Sequence, residues 1–297
     1  MTRVATMILC AGLGTRLRPL SDICAKPLVP VGDRPALAHV VQAVLRAGAS
    51  RVVVNAHHRA SDVRDFAEAH AGVSVSDERE LLGTAGGVHR ARTLLGAGDV
   101  LVWNGDILLF ASPPLDVAGL VASHAPSTGA TLVVRPGPWG TGNVGIDAEG
   151  KIVRLRRVTV REGEASGGEF LGIHVLGAAL RAKLPERGCL VGDVYIPALH
   201  AGAELSAFTT EIPFYDIGTV ASYLDANLAW LAARGDTSWI AAGASIASGV
   251  DPRGSVIGAG ATVTGEGLLD RCVVWPGAHA RAPLACAVVT PDDTLRL

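Results

Sequence analysis

The stretch VATMILCAGLGTRLRPL, Val4 to Leu20, joins an apolar run to a glycine-containing turn and then to two arginines. A short apolar run of this kind is typical of a strand buried on both faces of a parallel sheet. Gly12 and Gly14 let backbone N–H groups approach a phosphate, and the Arg16 guanidinium matches phosphate oxygens. The stretch lacks the GxxxxGK[ST] spacing of a P-loop and the third glycine of the dinucleotide fingerprint. Taken alone, it is equally compatible with a tight turn that carries solvated arginines.

The segments that follow alternate between strand and helix patterns. They are PALAHVVQAVLRAGA (helix, with Pro35 in its first turn), RVVVNA (strand), SDVRDFAEAHA (helix, with Ser61 as N-cap), VSVSDE (strand), a glycine loop and DVLVWNGDI (strand). From about Leu132 the pattern changes to strands and hairpins, and a last helical stretch ends near Gly235. The alternation predicts an α/β fold with a Rossmann-like, doubly wound mixed sheet. Ligands of such sheets bind at the carboxyl ends of the strands, where both glycine segments and NGD fall.

The tail differs in kind from the rest of the chain. Residues 236–297 are rich in Gly, Ala and Val, and phrases such as VIGAGATV and VVWPGAHA are typical of the turns of a left-handed parallel β-helix. We therefore predict two domains, 1–235 and 236–297, the second a β-helix of two or three coils that docks or oligomerises. The alternative is a disordered glycine-rich tail.

Bulk composition limits the partners. The 26 basic and 28 acidic residues give a net charge of -2, without the broad basic field that nucleic-acid binding requires. No segment reaches the roughly 18 consecutive apolar residues of a membrane span. The five cysteines form no CxxC pair, which favours single thiols in a reducing compartment. We expect a soluble, cytoplasmic protein without membrane or nucleic-acid partners.

The motifs resemble one enzyme family over about 230 residues. LCAGLGTRLRPLSDICAKPLVPVGDRP (9–35) closely resembles the signature of the sugar-phosphate nucleotidyltransferases, GxGTRLxPLT followed by PKPLxPVxxxP, with Ala25 in place of a proline. ERELLGTAGGV is similar to that family's base-binding E-P-L-G-T-A-G, WNGDI to its strand-end NGD, FLGIHV to its F-x-G-I, and FYDIGTVASYLDAN to its W-x-D-I-G-T-P element. The VVWPG of the tail is similar to mannose-1-phosphate guanylyltransferases that carry a β-helix extension. The resemblance implies a nucleotidyltransferase, GT-A-like fold.

The resemblance also implies a reaction and the residues that carry it. An NTP and a sugar-1-phosphate would give an NDP-sugar and pyrophosphate, with Mg²⁺ as cofactor. The implied catalytic residues are Arg16, Lys26 and Asp106, and the implied metal ligands are Asp106 and Asp216. The implied nucleotide-binding residues are Leu9, Ala11, Gly12, Gly14, Thr15, Arg16, Glu80, Gly83, Thr84, Ala85, Gly86, Asn104 and Gly105. The implied sugar-phosphate-binding residues are Lys26, Asn143, Gly145, Glu169 and Gly172.

Several points stay open at this stage. The Glu80 carboxylate can accept both N1–H and N2–H of guanine, which favours GTP, and the tail favours mannose-1-phosphate. UTP or dTTP, and heptose, glucose or N-acetylmuramate phosphates, are the alternatives. The family's E-K-P lysine is missing, and we expect Arg154, Arg156 and Arg157 mainly to form a solvated face that includes at most one phosphate contact.

Two further classes of protein share part of this pattern. A non-catalytic regulatory subunit that binds an NDP-sugar is an alternative, although such chains tend to lose the arginine, lysine or aspartates present here. An NAD-linked oxidoreductase is disfavoured because no acidic residue follows the second strand, where VVVNAHH stands. His57 and His58 in that segment are expected to be structural. A homo-oligomer formed through the tail is the expected assembly.

Overall fold

The computed structural model of the protein describes residues 4–297. The strands in chain order are β1 (Ala5–Leu9), β2 (Pro30–Val31), β3 (Arg34–Pro35), β4 (Arg51–Ala56), β5 (Val73–Asp77), β6 (Val100–Asn104), β7 (Ile107–Leu109), β8 (Ala130–Gly137), β9 (Val144–Ile146), β10 (Ile152–Leu155), β11 (Val158–Thr159), β12 (Ser166–Leu176), β13 (Leu205–Thr209), β14 (Phe214–Asp216), β15 (Trp239–Ile240), β16 (Ser245–Ile246), β17 (Val250–Arg253), β18 (Val256–Ile257), β19 (Thr262–Val274), β20 (His279–Val289) and β21 (Thr294–Arg296).

Within residues 4–297 the helices are fewer than the strands. The α-helices are α1 (Leu20–Ile23), α2 (Ala36–Arg46), α3 (Ala60–Glu68), α4 (Gly83–Arg90), α5 (Arg92–Leu95), α6 (Val117–Ser123), α7 (Ala178–Arg181), α8 (Ile196–His200) and α9 (Val220–Arg234). Two 3₁₀ turns, Thr15–Leu17 and Lys26–Leu28, and one π-helix, Leu190–Tyr195, complete the set. Within residues 4–297, no helix has both the length and the apolar character that crossing a membrane requires.

The chain forms two compact units, each assembled from separate segments. The first unit contains the chain up to Leu13, Val40–Ile107 and Leu115–Ile212. The second unit contains Gly14–His39, Leu108–Pro114 and Pro213–Leu297. The division into domains at residue 235 stays a prediction, because the second unit takes in segments from both sides of that position.

A mixed sheet forms the centre of the first unit. Strands β6, β1, β4 and β5 lie side by side and parallel, and β12 pairs with β6 in the antiparallel direction. Met7 and Ile8 on β1 are fully buried, as the apolar opening run predicts. The carboxyl ends of β1, β4 and β6 meet at one edge of the sheet. The predicted mixed α/β sheet is confirmed.

Two predicted helix starts are wrong, by two residues for α3 and by one residue for α2. Helix α3 begins at Ala60, after Arg59 in a left-handed conformation (φ 50°), so Ser61 lies inside the first turn. The Ser61 hydroxyl donates to the neighbouring Asp62 carboxylate instead of capping the helix. Pro35 is paired in β3, and α2 begins at the following residue. A serine before an apolar pattern is a weak marker, because several polar positions compete for the same cap.

The tail forms a largely parallel sheet within the second unit. Strand β19 pairs in parallel with β16, β17, β18 and β20, and β21 closes the end of β20 in the antiparallel direction. Ser245 lies beside Thr262, and Thr262 lies beside His279, so successive passes of the chain stack in register. This stacking is consistent with the predicted short β-helix and excludes the disordered alternative. The left-handed sense of the coil stays a prediction.

Candidate active site

The end of β1 is hydrogen-bonded to the turn that carries Asp106. The carbonyl of Leu9 accepts a hydrogen bond of 2.9 Å from the backbone N–H of Gly105. A Cβ on Gly105 would lie 2.8 Å from Cys10 Sγ, so this approach requires glycine. Burial, reinforced by the nearby Asp106 carboxylate, raises the pKa of the Cys10 thiol, which is therefore neutral. The first unit thus brings the start of the glycine turn and the NGD turn together, as predicted.

The segment predicted as a glycine loop is instead the start of helix α4. Gly83 has φ 75°, and a Cβ there would lie 2.5 Å from the carbonyl oxygen of Gly188. The N–H of Ala85 donates to that same carbonyl, and the Thr84 hydroxyl accepts from the N–H of Leu190. Glycine and threonine are weak helix formers, so the local pattern favoured a loop. Packing against residues 186–190 stabilises the helix start instead.

Two glutamates in the run DERE have opposite surroundings. Glu80, the predicted contact to the base, is 73% exposed and pairs with Arg187 at 2.9 Å. Glu78 is only 6% exposed and accepts hydrogen bonds from Asn55 Nδ2 and from the N–H of Leu82. Sequence reasoning missed Glu78, whose only signal is its position directly after β5. The assignment of Glu80 to the base stays a prediction.

The predicted sugar-phosphate residues lie on β12 and beside it. The Asn143 side chain accepts a hydrogen bond of 2.9 Å from the N–H of Phe170. Glu169 forms an ion pair of 2.8 Å with Arg135, and both side chains are about half exposed. A Cβ on Gly172 (φ 73°) would lie 2.4 Å from Asn104 Nδ2, so β12 approaches the end of β6 closely. Arg135 is a cation of this surface that sequence reasoning did not single out.

The arginines that stand where the E-K-P segment is missing do not form one solvated face. Arg154 is 11% exposed, because its guanidinium is enclosed by Glu164 and by four backbone carbonyls. This corrects the expectation for Arg154. Gly145 provides the space for this pair, since a Cβ there would lie 2.3 Å from Glu164 Oε2. Arg156 and Arg157 are exposed, and Arg156 donates to the sulfur of Cys189 at 3.2 Å.

The histidines after β4 behave partly as expected. His57 lies with Nδ1 3.1 Å from the carbonyl oxygen of Glu78, which gives its ring a structural partner. This supports the expectation that His57 is structural. His58 is half-buried.

The second unit groups the predicted phosphate-handling residues. Lys26, at the start of a 3₁₀ turn, is 12% exposed, and its Nζ lies 3.9 Å from Oδ1 of Asp216, which is 46% exposed. A Cβ on Gly218 would lie 3.0 Å from Arg16 Nη2, which places the Arg16 guanidinium against the backbone beside Asp216. Two cations and one carboxylate therefore share one surface. Arg18 pairs with Asp22 at 3.2 Å and is separate from this group.

Gly14 shapes the turn that leads to this group. Its φ is 63°, and a Cβ would lie 3.1 Å from the Cβ of Lys26. The next residues, Thr15–Leu17, form a 3₁₀ turn whose N–H of Leu17 donates to the Gly14 carbonyl. Ala25 is buried where the family has proline, and the turn that carries Lys26 forms without it. The glycine therefore brings the arginine turn and the lysine turn close together.

The family model described as nucleotidyl transferase matches residues 5–233, from the first strand to the last helix. The chain belongs to the nucleotidyl transferase family. The predicted family and enzyme class, a sugar-phosphate nucleotidyltransferase, are confirmed by this match together with the relatives described next.

Three curated relatives of this nucleotidyl transferase carry names from two substrate classes. It is 31% identical to N-acetylmuramate alpha-1-phosphate uridylyltransferase of Caulobacter vibrioides, over 61% of this chain and 78% of that protein. It is 28% identical to a mannose-1-phosphate guanyltransferase of Schizosaccharomyces pombe, over 76% of this chain and 64% of that protein. It is also 28% identical to a probable mannose-1-phosphate guanylyltransferase 1 of rice, over 91% of this chain and 74% of that protein.

Solved structures support the fold of this nucleotidyl transferase. HddC from Yersinia pseudotuberculosis, crystallised with GMP-PN, matches with a TM-score of 0.62 at 23% identity, over 75% of this chain and 98% of that chain. A UDP-glucose pyrophosphorylase of Acinetobacter matches with the same TM-score at 22% identity, over 76% of this chain and 93% of that chain. At these identities the likeness establishes the fold alone.

The chemistry of the two aspartates suits a hard metal ion. Sugar nucleotidyltransferases generally use a divalent metal. Asp106 is partly buried in the NGD turn, and Asp216 ends β14. Each is a carboxylate, the class of oxygen ligand that a hard divalent cation prefers. Among residues 4–297, no group of three or more His, Cys, Asp or Glu side chains is placed to hold a metal ion.

Proposed function

We propose that this nucleotidyl transferase transfers a nucleoside monophosphate from GTP to mannose-1-phosphate, giving GDP-mannose and pyrophosphate. The observation that carries the proposal is the Lys26 ammonium, nearly buried and 3.9 Å from the Asp216 carboxylate, with the Arg16 guanidinium on the same surface. Two cations beside one carboxylate suit a polyphosphate that arrives with a metal ion. A tight turn with merely solvated side chains would not enclose a lysine.

The residues act by alignment and charge neutralisation. The phosphate dianion of the sugar substrate is already a nucleophile, so its oxygen attacks the α-phosphorus without a general base while pyrophosphate leaves from the opposite side. Arg16 would stabilise the departing pyrophosphate, and Lys26 would bridge the α-phosphate and the incoming phosphate. Such fixed charges lower the barrier because they are already oriented before the charge develops.

We propose Mg²⁺ as the metal, held by Asp106 and Asp216. When bound, it would neutralise negative charge on the reacting phosphates. The supporting observation is the chemistry of the donors, since both side chains are carboxylates, the oxygen ligands that Mg²⁺ prefers.

The choice of GTP and mannose-1-phosphate rests on the extent of similarity. The rice guanylyltransferase aligns over 91% of this chain, whereas the muramate uridylyltransferase aligns over 61%. The exposed carboxylate of Glu80 can accept both donors of guanine. The higher identity of the uridylyltransferase, 31%, favours UTP with N-acetylmuramate-1-phosphate as the second candidate. A non-catalytic regulatory subunit is disfavoured because Arg16, Lys26, Asp106 and Asp216 are all present.

Compartment and assembly are further parts of the proposal. No disulfide links the five cysteines, which supports a reducing, cytoplasmic environment. We propose that the tail mediates a homo-oligomer, and light scattering on the purified chain tests this.

A substrate panel tests the proposed reaction. The purified protein is incubated with Mg²⁺, each of GTP, UTP and dTTP, and each of mannose-, glucose-, heptose- and N-acetylmuramate-1-phosphate, and pyrophosphate release is measured. We expect the greatest kcat/KM with GTP and mannose-1-phosphate. A maximum with UTP and N-acetylmuramate-1-phosphate would select the second candidate, and no release with any pair would support a regulatory subunit.

Two substitutions test the proposed roles. We expect Lys26→Ala and Asp216→Ala each to lower kcat/KM by about 10²–10³, because each removes a charge that stabilises the transition state. Arg18→Ala is the matched control, since Arg18 is a neighbouring cation that pairs with Asp22. Circular dichroism checks that the variants fold. Near-normal turnover of either folded variant would contradict the assignment.

A further inference from the structure

A buried chain of hydrogen bonds crosses the first unit between two segments that the family resemblance assigns to the nucleotide. The N–H of Cys10 donates to Asn55 Oδ1 at 2.6 Å, and Asn55 Nδ2 donates to Glu78 Oε1 at 2.6 Å. The other carboxylate oxygen, Oε2, accepts from the N–H of Leu82 at 3.1 Å. This chain of hydrogen bonds therefore begins at Cys10, the residue before Ala11 and Gly12, and ends at Leu82, the residue before Gly83.

The pair is enclosed on all sides. Asn55 and Glu78 are both almost fully buried, and a Cβ on Gly87 would lie 2.8 Å from Asn55 Nδ2 and 2.9 Å from Glu78 Oε1. A backbone hydrogen bond also holds the pair in place, since the N–H of Glu78 donates to the carbonyl of Ala56. Neither side chain therefore has room to adopt another arrangement.

Burying a carboxylate is costly unless its oxygens are hydrogen-bonded, and apolar side chains would fill the same space at lower cost. A buried polar pair specifies one geometry, because every donor must meet its acceptor. Here the groups at the two ends are backbone N–H groups of two different loops. The pair thus sets the spacing between the loops more narrowly than apolar packing could.

We propose that Asn55 and Glu78 are positioning residues that fix the distance between the Cys10–Gly12 loop and the Leu82–Gly86 segment for the nucleotide. This inference rests on the proposed function and on the resemblance, which implies that both segments bind the NTP. The resemblance assigns the sugar-1-phosphate to Lys26, Asn143, Gly145, Glu169 and Gly172, none of which belongs to these two segments. Disturbing the pair therefore weakens nucleotide binding and leaves sugar-phosphate binding unchanged.

The donor-to-acceptor direction of these hydrogen bonds provides a specific test. In Glu78→Gln, the amide oxygen can accept the hydrogen bond from Asn55 Nδ2 only if the amide N–H₂ points at the N–H of Leu82. Two donors then face each other. In Asn55→Asp, two carboxylates face each other. In the double variant Asn55→Asp/Glu78→Gln, the introduced carboxylate accepts from the N–H of Cys10 and from the introduced amide, whose oxygen accepts from the N–H of Leu82. The double variant thus restores every hydrogen bond at the same net charge.

The experiment measures the affinity of the full chain for GTP and UTP by calorimetry, and KM for both substrates with the best pair of the panel. We expect each single variant to weaken nucleotide binding about ten-fold or more, as loss of a hydrogen bond to a charged group does, and the double variant to recover to within about three-fold of wild type. KM for the sugar-1-phosphate stays constant. Asp77→Asn is the matched control, because it removes the neighbouring carboxylate, at the exposed end of β5, which pairs with Arg64.

The outcomes separate the inference from the function on which it rests. Single variants that fold and bind nucleotide as wild type does would overturn the inference, as would equal changes in KM for both substrates. If the single variants do not fold, the double variant decides: wild-type affinity supports the inference, and lost affinity at a wild-type melting temperature overturns it. A wild-type protein that binds no nucleotide would overturn the proposed function itself and the inference with it.

Discussion

At the scale of single residues, charge alone does not separate functional from structural groups. Arg154 and Lys26 are both nearly buried cations, yet their surroundings differ. Arg154 is saturated by Glu164 and four carbonyls, whereas Lys26 faces the half-exposed Asp216 at 3.9 Å. A cation enclosed by a carboxylate and by carbonyls of its own unit holds the fold together, and one that lies beside a half-exposed carboxylate is placed where a substrate can reach it.

The Arg154–Glu164 pair predicts a specific dependence of stability on pH. The Arg154 guanidinium lowers the pKa of the Glu164 carboxyl below its ordinary value. Because the folded-state pKa is lower than the unfolded-state pKa, the unfolded chain binds the proton more tightly. The stabilisation is therefore complete above the unfolded pKa of about 4.3 and is lost as pH falls through the folded pKa.

The substitution Glu164→Gln tests this dependence. We expect the free energy of unfolding in urea to fall by about 1.5–3 kcal/mol at pH 7, because a charged hydrogen-bond partner is lost. The difference from wild type should narrow at pH 4. Glu149→Gln, on an exposed turn of the same unit, serves as control and should change little. A difference that is the same at both pH values would contradict the role of the ionised carboxylate.

The two glutamates of DERE show why residue roles are only partly predictable. The motif singles out Glu80, and the family resemblance supplies its predicted role. Nothing local distinguishes it from Glu78, two residues earlier, because the burial of Glu78 depends on Asn55, 23 residues away. Sequence reasoning can locate a site through its motif, whereas the buried contacts that support the site come from distant parts of the chain.

At the scale of secondary-structure elements, ends marked by strong signals are predictable. Helix α9 starts after a capping box of Thr219 and Ser222 and ends at Gly235 in the left-handed conformation, close to the predicted end. Helix α4 has no such marks, since neither its N-cap nor its glycines favour a helix. Its start is stabilised by packing against residues 186–190, which a local pattern cannot reveal.

The start of α4 therefore predicts an unequal cost for two glycine substitutions. Gly83 and Gly98 both have positive φ, 75° and 96°, so alanine costs about 1–2 kcal/mol at either position. At Gly83 the new Cβ would also lie 2.5 Å from the Gly188 carbonyl, whereas at Gly98 it would meet nothing within 4 Å. We expect Gly83→Ala to lose about 1–3 kcal/mol more than Gly98→Ala in urea denaturation. Equal losses would contradict the packed helix start.

At the scale of the whole molecule, the second unit joins the tail to the segment that carries Lys26. Trp275 Nε1 donates to the Tyr223 hydroxyl at 3.0 Å, and that hydroxyl donates to the carbonyl of Pro30. On the same helix α9, Asn227 accepts from the N–H of Gly32. The tail is thus part of the framework that holds residues 26–32, rather than an independent appendage. Composition predicted a separate tail because it records the change in residue type and not these contacts.

This framework predicts a loss of stability when the Tyr223 hydroxyl is removed, and that loss is coupled to the loss caused by substituting Trp275. Tyr223→Phe leaves the buried Trp275 indole N–H and the Pro30 carbonyl without this partner, so we expect the free energy of unfolding to fall by about 1–3 kcal/mol. Trp275→Phe should also destabilise, and the double variant should lose about 0.5–1.5 kcal/mol less than the sum of both single variants, because they share one hydrogen bond. Tyr215→Phe is the control, since Tyr215 lies on β14, outside this chain of hydrogen bonds, with its ring against Phe110. Strict additivity in urea denaturation would show that the tail and α9 do not communicate through this bond, and the tail would then be held by apolar packing alone.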